Sequence, residues 1–336
     1  MTHTKIMATL ADVRCTPAFV RSLVEAGAAG FRINSAHVGP EEIASMVGVV
    51  RGVDPSVRIL MDTKGPEIRF VAPEEPFTLV EGETVSLVED DAPSTASRLC
   101  VRVPLAEAVV KPGHCLLVDD GAAELCVTEV HPDGSLLTRV VRSARIDAAK
   151  TIASTDAVLP DLPAVSARDR LNILAAREAG IDMIAHSFVR SADDVREVRR
   201  LIDGSPIELY AKIECRRAVD NLPEILDAAD ALLVARGDLG TQIPLWEIPA
   251  LQMRIVALCR DAGKPAMVAT QILESMTSSP RPTRAELSDI ALGVAEGASW
   301  LLLCGETARG EYPRQCVDIM RRTVEASEKA MPWTIC

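Results

Sequence analysis

An alternation of short aliphatic runs with amphipathic stretches extends through most of this chain, and it constrains the fold more than any other feature. Eight aliphatic runs are candidate strands, and a stretch with helical period follows each of them or comes after the last. The candidate strands are 6–10, 30–33, 57–61, 183–185, 207–213, 231–235, 266–269 and 300–303. The candidate helices are 17–26, 41–52, 167–179, 192–202, 221–228, 248–262, 283–296 and 313–329. Eight repeats of a strand followed by a helix predict an α/β fold whose parallel strands close into a (β/α)8 TIM barrel.

The alternation is interrupted once, after the third candidate strand. Between about residues 70 and 161, short strand-like runs are separated by turn signals such as Glu81-Gly82 and Pro132-Asp133-Gly134. We therefore expect an all-β domain over 70–160, inserted into a catalytic barrel formed by 1–69 and 161–336. Loops that follow barrel strands lie on the catalytic face, so the inserted domain is expected to act as a lid.

Composition excludes several classes of protein and partner. The 336 residues carry a net charge of −12, which opposes the phosphate attraction on which nucleic-acid binding relies. No run approaches the ~18 apolar residues of a membrane span, and no targeting segment is evident, so we expect a cytoplasmic protein. Nine cysteines without a C-x-x-C pair predict buried, reduced thiols.

Polar residues stand at the carboxyl ends of the candidate strands, where barrel enzymes build their sites. Glu214 and Asp238 are carboxylates suited to a hard cation such as Mg²⁺. Arg32, Arg69 and Lys212 suit phosphate or carboxylate oxygens. Phosphoryl transfer needs both kinds of group, so the sequence predicts a metal-assisted site for a highly charged substrate.

Several long motifs resemble those of the pyruvate kinase family, in the family's order and over nearly the whole chain. The longest are Met61-Asp62-Thr63-Lys64-Gly65-Pro66-Glu67-Ile68-Arg69, Ala211-Lys212-Ile213-Glu214, Val234-Ala235-Arg236-Gly237-Asp238-Leu239-Gly240 and Ala269-Thr270-Gln271-Ile272-Leu273-Glu274-Ser275-Met276. The resemblance implies a phosphotransferase that moves the phosphoryl group of phosphoenolpyruvate to ADP, giving pyruvate and ATP.

The resemblance also implies roles for individual residues. Glu214 and Asp238 would hold Mg²⁺, Lys212 would lie against the transferring phosphoryl group, and Thr270 would belong to the path that protonates the enolate. Substrate binding would involve Arg32, Arg69, Lys212, Gly237, Asp238 and Thr270, and nucleotide binding would involve Arg32, Asn34, His37, Arg69 and Arg168. The family's potassium site maps onto Asn34, Asp62 and Thr63, and Glu67 matches the form associated with potassium dependence.

Several departures from the family pattern bear on these expectations. Ala36 stands where the family has a potassium-binding serine, and Ala11-Asp12 adds a negative charge to a wall of the expected nucleotide pocket. The segment 150–157 and Arg168 also differ from the family on the nucleotide side. The sequence ends at Cys336, just past the eighth helix, so we expect no C-terminal regulatory domain and no sugar-phosphate activation.

Two other functions stay open at this point. A pyruvate-enolate barrel with a carbon electrophile as acceptor would be an aldolase-like lyase, and a non-catalytic protein could bind Mg²⁺ and an oxo acid. Arg236 and Glu274 are either ligands or rim salt bridges, whereas His37 and Ser35 fit a structural role better than a catalytic one. We expect a homo-oligomer, because closed twofold assemblies are common.

Overall fold

A closed barrel of eight parallel strands is the main feature of the computed structural model, which describes residues 4–119 and 121–330. Each strand pairs with the one before and after it in chain order, and the first pairs with the eighth. The predicted (β/α)8 barrel is therefore confirmed. In chain order, the strands are Lys5–Leu10, Gly30–Asn34, Arg58–Asp62, Met183–His186, Glu208–Ile213, Ala231–Ala235, Ala266–Ala269 and Trp300–Leu303.

Helices follow the strands as predicted, and the described part of the chain adds three short ones. The predicted helix 221–228 is observed as Leu222–Ala228, and a separate short helix, Arg216–Asp220, precedes it. Pro223 lies in the first turn of the longer helix, where its missing N–H costs no hydrogen bond, so a new helix begins there. The other helices are Pro17–Ala26, Pro40–Val53, Ala167–Ala179, Ala192–Leu201, Arg236–Leu239, Ile248–Asp261, Arg284–Glu296, Gly305–Ala308 and Pro313–Ala330.

Two helix starts expected from the sequence carry the caps that fix them. The Thr16 hydroxyl accepts a hydrogen bond from Phe19 N at 3.2 Å, and the Ser166 hydroxyl accepts one from Asp169 N at 3.0 Å. These side chains satisfy N–H groups that have no partner inside the helix. The local chain therefore sets where the helices begin after the barrel loops.

Side chains close the barrel interior. Tyr210, Met7 and Leu60 are completely buried there and pack with residues from most of the other strands. This packing excludes solvent from the middle of the barrel.

The chain divides into two compact units. The barrel unit contains the described residues of Met1–Gly65, Ala164–Arg236 and Glu247–Cys336, and the second unit contains Pro66–Pro163 and Gly237–Trp246. The segment Gly237–Trp246, which the sequence analysis assigned to the barrel, groups with the inserted segment. The boundaries 70 and 160, and the role of a lid, stay predictions.

The second unit is mainly β-structure around its own apolar core. One sheet has six strands, and all neighbouring pairs except one are antiparallel. Their spatial order is Ile152–Ala153, Cys115–Val118, Ala123–Val130, Leu136–Arg142, Thr84–Glu89 and Arg98–Val101. Phe77–Leu79 pairs with Ala144–Ile146 in a second, two-stranded sheet.

The structure bears on the expected burial of the thiols and on the expectation of no membrane span. The eight described cysteines are free; Cys100, Cys259 and Cys316 are buried as expected, whereas the other five are partly exposed. Cys336 and Asp120 lie outside the described residues. Within 4–119 and 121–330, the structure has no helix with both the length and the apolar character to cross a membrane.

Candidate active site

Lys212 is the centre of a buried charged cluster at the end of the fifth barrel strand. Its Nζ lies 2.8 Å from Glu214 Oε1, 3.1 Å from Asp62 Oδ1 and 2.8 Å from Ser187 Oγ. Lys212 is 8% exposed, and Asp62 and Glu214 are 2% and 0% exposed. These contacts fix the ammonium group in one position, because buried charges are costly unless they are paired and hydrogen-bonded.

Arg32 contacts the same cluster from the second barrel strand. Its Nε donates to Asp62 Oδ2 at 2.7 Å, and its Nη1 donates to Thr9 Oγ1 at 3.2 Å. Burial alone would raise the pKa of Asp62, but the adjacent charges of Lys212 and Arg32 outweigh it and hold that pKa below its ordinary value. Asp62 is therefore a carboxylate that orients two cations.

Glu214 is held by backbone as well as by Lys212. Its Oε2 accepts a hydrogen bond of 2.6 Å from Phe188 N, and Phe188 has a positive φ of 53°. The Ser187 hydroxyl, one residue earlier, donates to Thr63 O at 2.7 Å. The segment after the fourth strand therefore supports both the lysine and the glutamate of the cluster.

His186 lies just outside this cluster and was not singled out from the sequence. Its Nδ1 is 3.3 Å from Thr63 Oγ1, which also accepts from Ser187 N at 2.9 Å. His186 is fully buried, and burial lowers its pKa to about 4. The imidazole is therefore neutral at physiological pH, where it fills buried space and shares a hydrogen bond with Thr63.

A cavity of about 540 Å³ opens beside Arg32 within the barrel unit. Three further residues that the sequence analysis assigned to substrate or nucleotide, Asn34, His37 and Thr270, line it together with Arg32. Asp12 lines the cavity too, so the negative charge noted in the sequence does face this space. Arg309, which was given no role from the sequence, adds a cation to the wall.

Thr270 has an unusual backbone. Both Thr270 and Gln271 adopt left-handed conformations, with φ of 72° and 52°, which β-branched threonine rarely does. Arg236 Nη2 donates to Thr270 O at 2.7 Å and to Gln271 O at 3.3 Å, while its Nη1 is 2.7 Å from Asp289 Oδ1. Arg236 is thus a salt-bridged residue that also holds this loop.

The remaining predicted residues are placed as follows. Arg168 Nη2 donates to Val38 O at 3.2 Å, which ties it to the segment next to His37. Arg69 belongs to the second unit and pairs with Glu67 Oε2 at 2.8 Å. Gly237 and Asp238 also group with the second unit and lie on the helical turn that begins directly after the sixth strand.

Glu214 and Asp238 each carry the kind of oxygen donor that a divalent cation of the Mg²⁺ type takes. Glu214 is a fully buried carboxylate at the end of the fifth strand, and Asp238 follows the sixth. Carboxylate oxygens are the hard donors that Mg²⁺ prefers, with water and substrate oxygens completing its shell. Within the described residues, no group of three or more acidic, histidine or cysteine side chains forms a complete metal cage.

The oxygens that the resemblance assigns to potassium have partners inside the protein. Both Asp62 oxygens accept from cationic groups, Asn34 Oδ1 accepts from Ala36 N at 3.1 Å, and Thr63 O accepts from Ser187 Oγ. Ala36 has no side-chain oxygen. The potassium site stays a prediction.

Sequence reasoning missed the supporting residues of the cluster rather than its centre. Ser187, which bonds Lys212, was given no role from the sequence, and neither were Thr9 and His186. Their signal is positional, since Thr9 and His186 are polar residues inside otherwise aliphatic strands. A polar residue in a buried run needs a partner, and that requirement could have marked both.

A (β/α)8 barrel with buried carboxylates and cations at the carboxyl ends of its strands is the architecture of a barrel enzyme. Residues 1–317 match the family described as pyruvate kinase, barrel domain. The chain belongs to the pyruvate kinase family.

Relatives agree with that assignment. The pyruvate kinase of Methylorubrum extorquens is 40% identical over 341 residues, which are 99% of this chain and 70% of that protein. The pyruvate kinase of Borreliella burgdorferi is 34% identical over 335 residues, which are 99% of this chain and 70% of that protein. The pyruvate kinase of Geobacillus stearothermophilus is 38% identical over 337 residues, covering 98% of this chain and 57% of that protein.

Proposed function

We propose that this chain transfers the phosphoryl group of phosphoenolpyruvate to ADP and releases pyruvate and ATP. The observation that carries the proposal is the Lys212 ammonium, fixed by Asp62, Glu214 and Ser187 at the end of the fifth strand. A buried cation with one orientation stabilises negative charge that develops next to it, because nothing must reorganise during the reaction. The comparisons do not favour the lyase or the non-catalytic alternative.

Lys212 is the residue we assign to the transferring phosphoryl group. In phosphoryl transfer, negative charge is spread over the equatorial oxygens of the moving group, so catalysis consists mainly of positioning and charge stabilisation. Its ion pairs with Asp62 and Glu214 keep the ammonium in place before the substrate binds. Lys212 therefore binds the phosphate in the ground state and more strongly in the transition state.

Arg32 and the cavity next to it are assigned to the phosphates of the substrates. Arginine suits phosphate oxygens because its planar guanidinium donates several N–H groups in a fixed geometry. The contacts with Asp62 and Thr9 orient that group toward one face of the barrel end. The cavity, with His37 and Asn34 in its wall, is the space we assign to the nucleotide. Arg69 and Arg168 are assigned to the nucleotide by resemblance, and Gly237 to the substrate.

Thr270 is assigned to the proton that completes the reaction. Loss of the phosphoryl group leaves the enolate of pyruvate, whose C3 carbon must gain one proton. We assign the Thr270 hydroxyl to the path of that proton, giving one to the carbon and regaining one from water. Thr270 lines the cavity beside Arg32, and Arg236 fixes its backbone.

Glu214 and Asp238 are the residues we assign to Mg²⁺. When bound, the cation would supply positive charge to the substrate carboxylate and to the oxygen that becomes negative. The family implies a divalent cation, and its identity as Mg²⁺ is part of this proposal. The cytoplasmic location and the homo-oligomer stay predictions.

Product formation tests the proposed function. The protein is mixed with phosphoenolpyruvate, Mg²⁺ and each common nucleoside diphosphate in turn, and pyruvate and the nucleoside triphosphate are measured together. We expect the two products in equal amounts, with little turnover when the nucleotide is left out. Absence of turnover with every nucleoside diphosphate would overturn the proposal, as would pyruvate that forms without any nucleotide.

A further inference from the structure

Two cysteines of the second unit lie directly opposite each other on neighbouring strands. Cys115 begins the strand Cys115–Val118, and its partner in the antiparallel register is Cys126 in Ala123–Val130. Residues that are directly opposite in an antiparallel pair project from the same face of the sheet. The two thiols are therefore neighbours in space, although ten residues separate them in the chain.

The hydrogen bonds identify the kind of pair that they form. Cys115 N donates to the Asp156 carboxylate at 3.1 Å rather than to Cys126. On the opposite strand, Val127, the residue after Cys126, donates from its backbone N to His114 O at 2.9 Å. Ladder bonds that flank a pair in this way mark a non-hydrogen-bonded pair, in which the Cα atoms are about 4.5 Å apart. A disulfide spans Cα separations from about 4.4 to 6.8 Å, so the backbone does not have to move to form one.

The pair lies on the accessible side of the sheet. Leu116 and Leu125, the neighbours whose side chains point the other way, are completely buried in the core of the second unit. Cys115 and Cys126 are both partly exposed. A small solute can therefore reach the thiols while the sheet stays folded.

We propose that Cys115 and Cys126 are a redox-active pair that a small-molecule disulfide oxidises to a cross-strand disulfide. One cysteine thiolate attacks a sulfur of the small disulfide, whose S–S bond breaks and releases one small thiol. The second cysteine then attacks the protein sulfur of the mixed disulfide and releases the other small thiol. Two protein thiols are oxidised to one disulfide, and the small disulfide is reduced to two thiols that keep the two protons.

The surroundings of the two sulfurs set the order of attack. Burial and then the Glu124 carboxylate raise the pKa of Cys115 to about 12, which leaves little thiolate at neutral pH. A first attack by Cys115 is disfavoured, so we assign the first attack to Cys126 and the resolving attack to Cys115. No other pair of described cysteines is matched in the strand register. Metal binding is a weaker use of the pair, since the described residues form no group of three metal-binding side chains.

Oxidised glutathione and mass spectrometry test the proposal on the full chain. The folded protein is incubated with oxidised glutathione, its remaining thiols are alkylated, and the peptides that carry the two cysteines are weighed. We expect the segment around Cys115 and Cys126 to lose two hydrogen atoms, to take up no alkyl group, and to recover both thiols in dithiothreitol. Cleavage after Glu124, between the two cysteines, should leave the two fragments linked.

Single variants test the order of attack and provide the controls. Cys115→Ser should keep a stable glutathione adduct on Cys126. Cys126→Ser should form its adduct at Cys115 about tenfold more slowly than Cys115→Ser forms its adduct at Cys126. Buried Cys100 reports whether the fold stays closed, since it should not react. Two separate adducts in the wild-type protein, a bridge that forms only in urea, or no reaction at either cysteine would each overturn the proposal.

Discussion

Arg236 donates from its guanidinium Nη2 to the backbone carbonyl of Thr270 at 2.7 Å, so the residue that follows the sixth barrel strand holds the residue that follows the seventh. Thr270 and Gln271 are left-handed, and this conformation persists only where the surroundings enforce it. The other end of the guanidinium is anchored on Asp289. The clamp connects the end of the sixth strand to the loop that carries Thr270.

Arg236→Lys tests this clamp, because lysine keeps the charge but cannot donate to Thr270 and Asp289 from a planar fork. We expect kcat to fall about tenfold, which corresponds to roughly 1.4 kcal/mol, with KM for phosphoenolpyruvate nearly unchanged. Arg199→Lys is the control, since Arg199 pairs with Asp230 just before the sixth strand, at its other end. Equal kinetics for both variants would show that the clamp does not position Thr270.

Gly65→Ala tests the close approach of the third-strand loop to Ser187. Gly65 has a φ of 72°, and a Cβ there would lie 2.6 Å from Ser187 Cβ. We expect a loss of about 2–4 kcal/mol in the free energy of unfolding, from the left-handed alanine and from the clash. Because Ser187 supports Lys212, kcat should fall as well.

Gly180→Ala is the matched control for that substitution. Gly180 has a φ of 77°, but a Cβ there meets no atom within 4 Å. The variant should lose only about 1 kcal/mol, for backbone strain, and keep its activity. Urea unfolding of the two variants measures the difference, and equal losses would mean that contact with Ser187 contributes nothing.

His186 predicts how stability changes with pH. Burial lowers its pKa from 6.5 to about 4, so between these values the unfolded chain binds the proton and the folded protein does not. The contribution of the neutral His186 to the free energy of unfolding is complete above about pH 6.5 and is lost as the pH falls toward 4. Between pH 6.5 and 5, this single group should remove about 2 kcal/mol from the free energy of unfolding.

His186→Asn isolates that effect from the other titrating groups. The variant should be less stable than wild type at pH 7, and the gap should narrow as the pH is lowered to 5. His131→Asn, at an exposed position, should leave the pH dependence of wild type intact. A gap between wild type and His186→Asn that stays constant from pH 7 to 5 would contradict the assignment of a neutral buried imidazole.

Glu214→Gln tests the metal assignment. Glutamine keeps an oxygen that can accept from Phe188 N but removes a negative charge from the proposed cation site. We expect the Mg²⁺ concentration for half-maximal rate to rise about tenfold or more, with kcat reduced. Glu197→Gln, on a partly exposed residue 3.7 Å from Arg170, is the control and should behave as wild type. An unchanged Mg²⁺ requirement in Glu214→Gln would remove Glu214 from the site.

The barrel and the centre of its site were predictable because both depend on periodicity. Strictly alternating elements imply parallel strands, and parallel strands bring their carboxyl ends to one edge, so Lys212 and Glu214 could be placed near Asp62 from the sequence. Such placement uses only the local period of the chain.

Long-range contacts set the rest and leave no local signal. Thr270 is left-handed although it is not a glycine. Its conformation is fixed by Arg236, which follows a different barrel strand. The register that puts Cys115 opposite Cys126 depends on how two strands meet, and the sequence alone does not fix it. The grouping of Gly237–Trp246 with the second unit likewise depends on long-range contacts.

The rate of phosphoryl transfer in Lys212→Met tests the central claim most directly. Methionine retains most of the side-chain volume but has no charge, and Lys329→Met, at an exposed position near the end of the last helix, is the control. With phosphoenolpyruvate, ADP and Mg²⁺, we expect kcat in Lys212→Met to fall by about a hundredfold or more while the variant stays folded, since one lost electrostatic donor costs roughly 3 kcal/mol. A folded Lys212→Met protein with wild-type turnover would contradict the assignment of Lys212 to the transferring phosphoryl group.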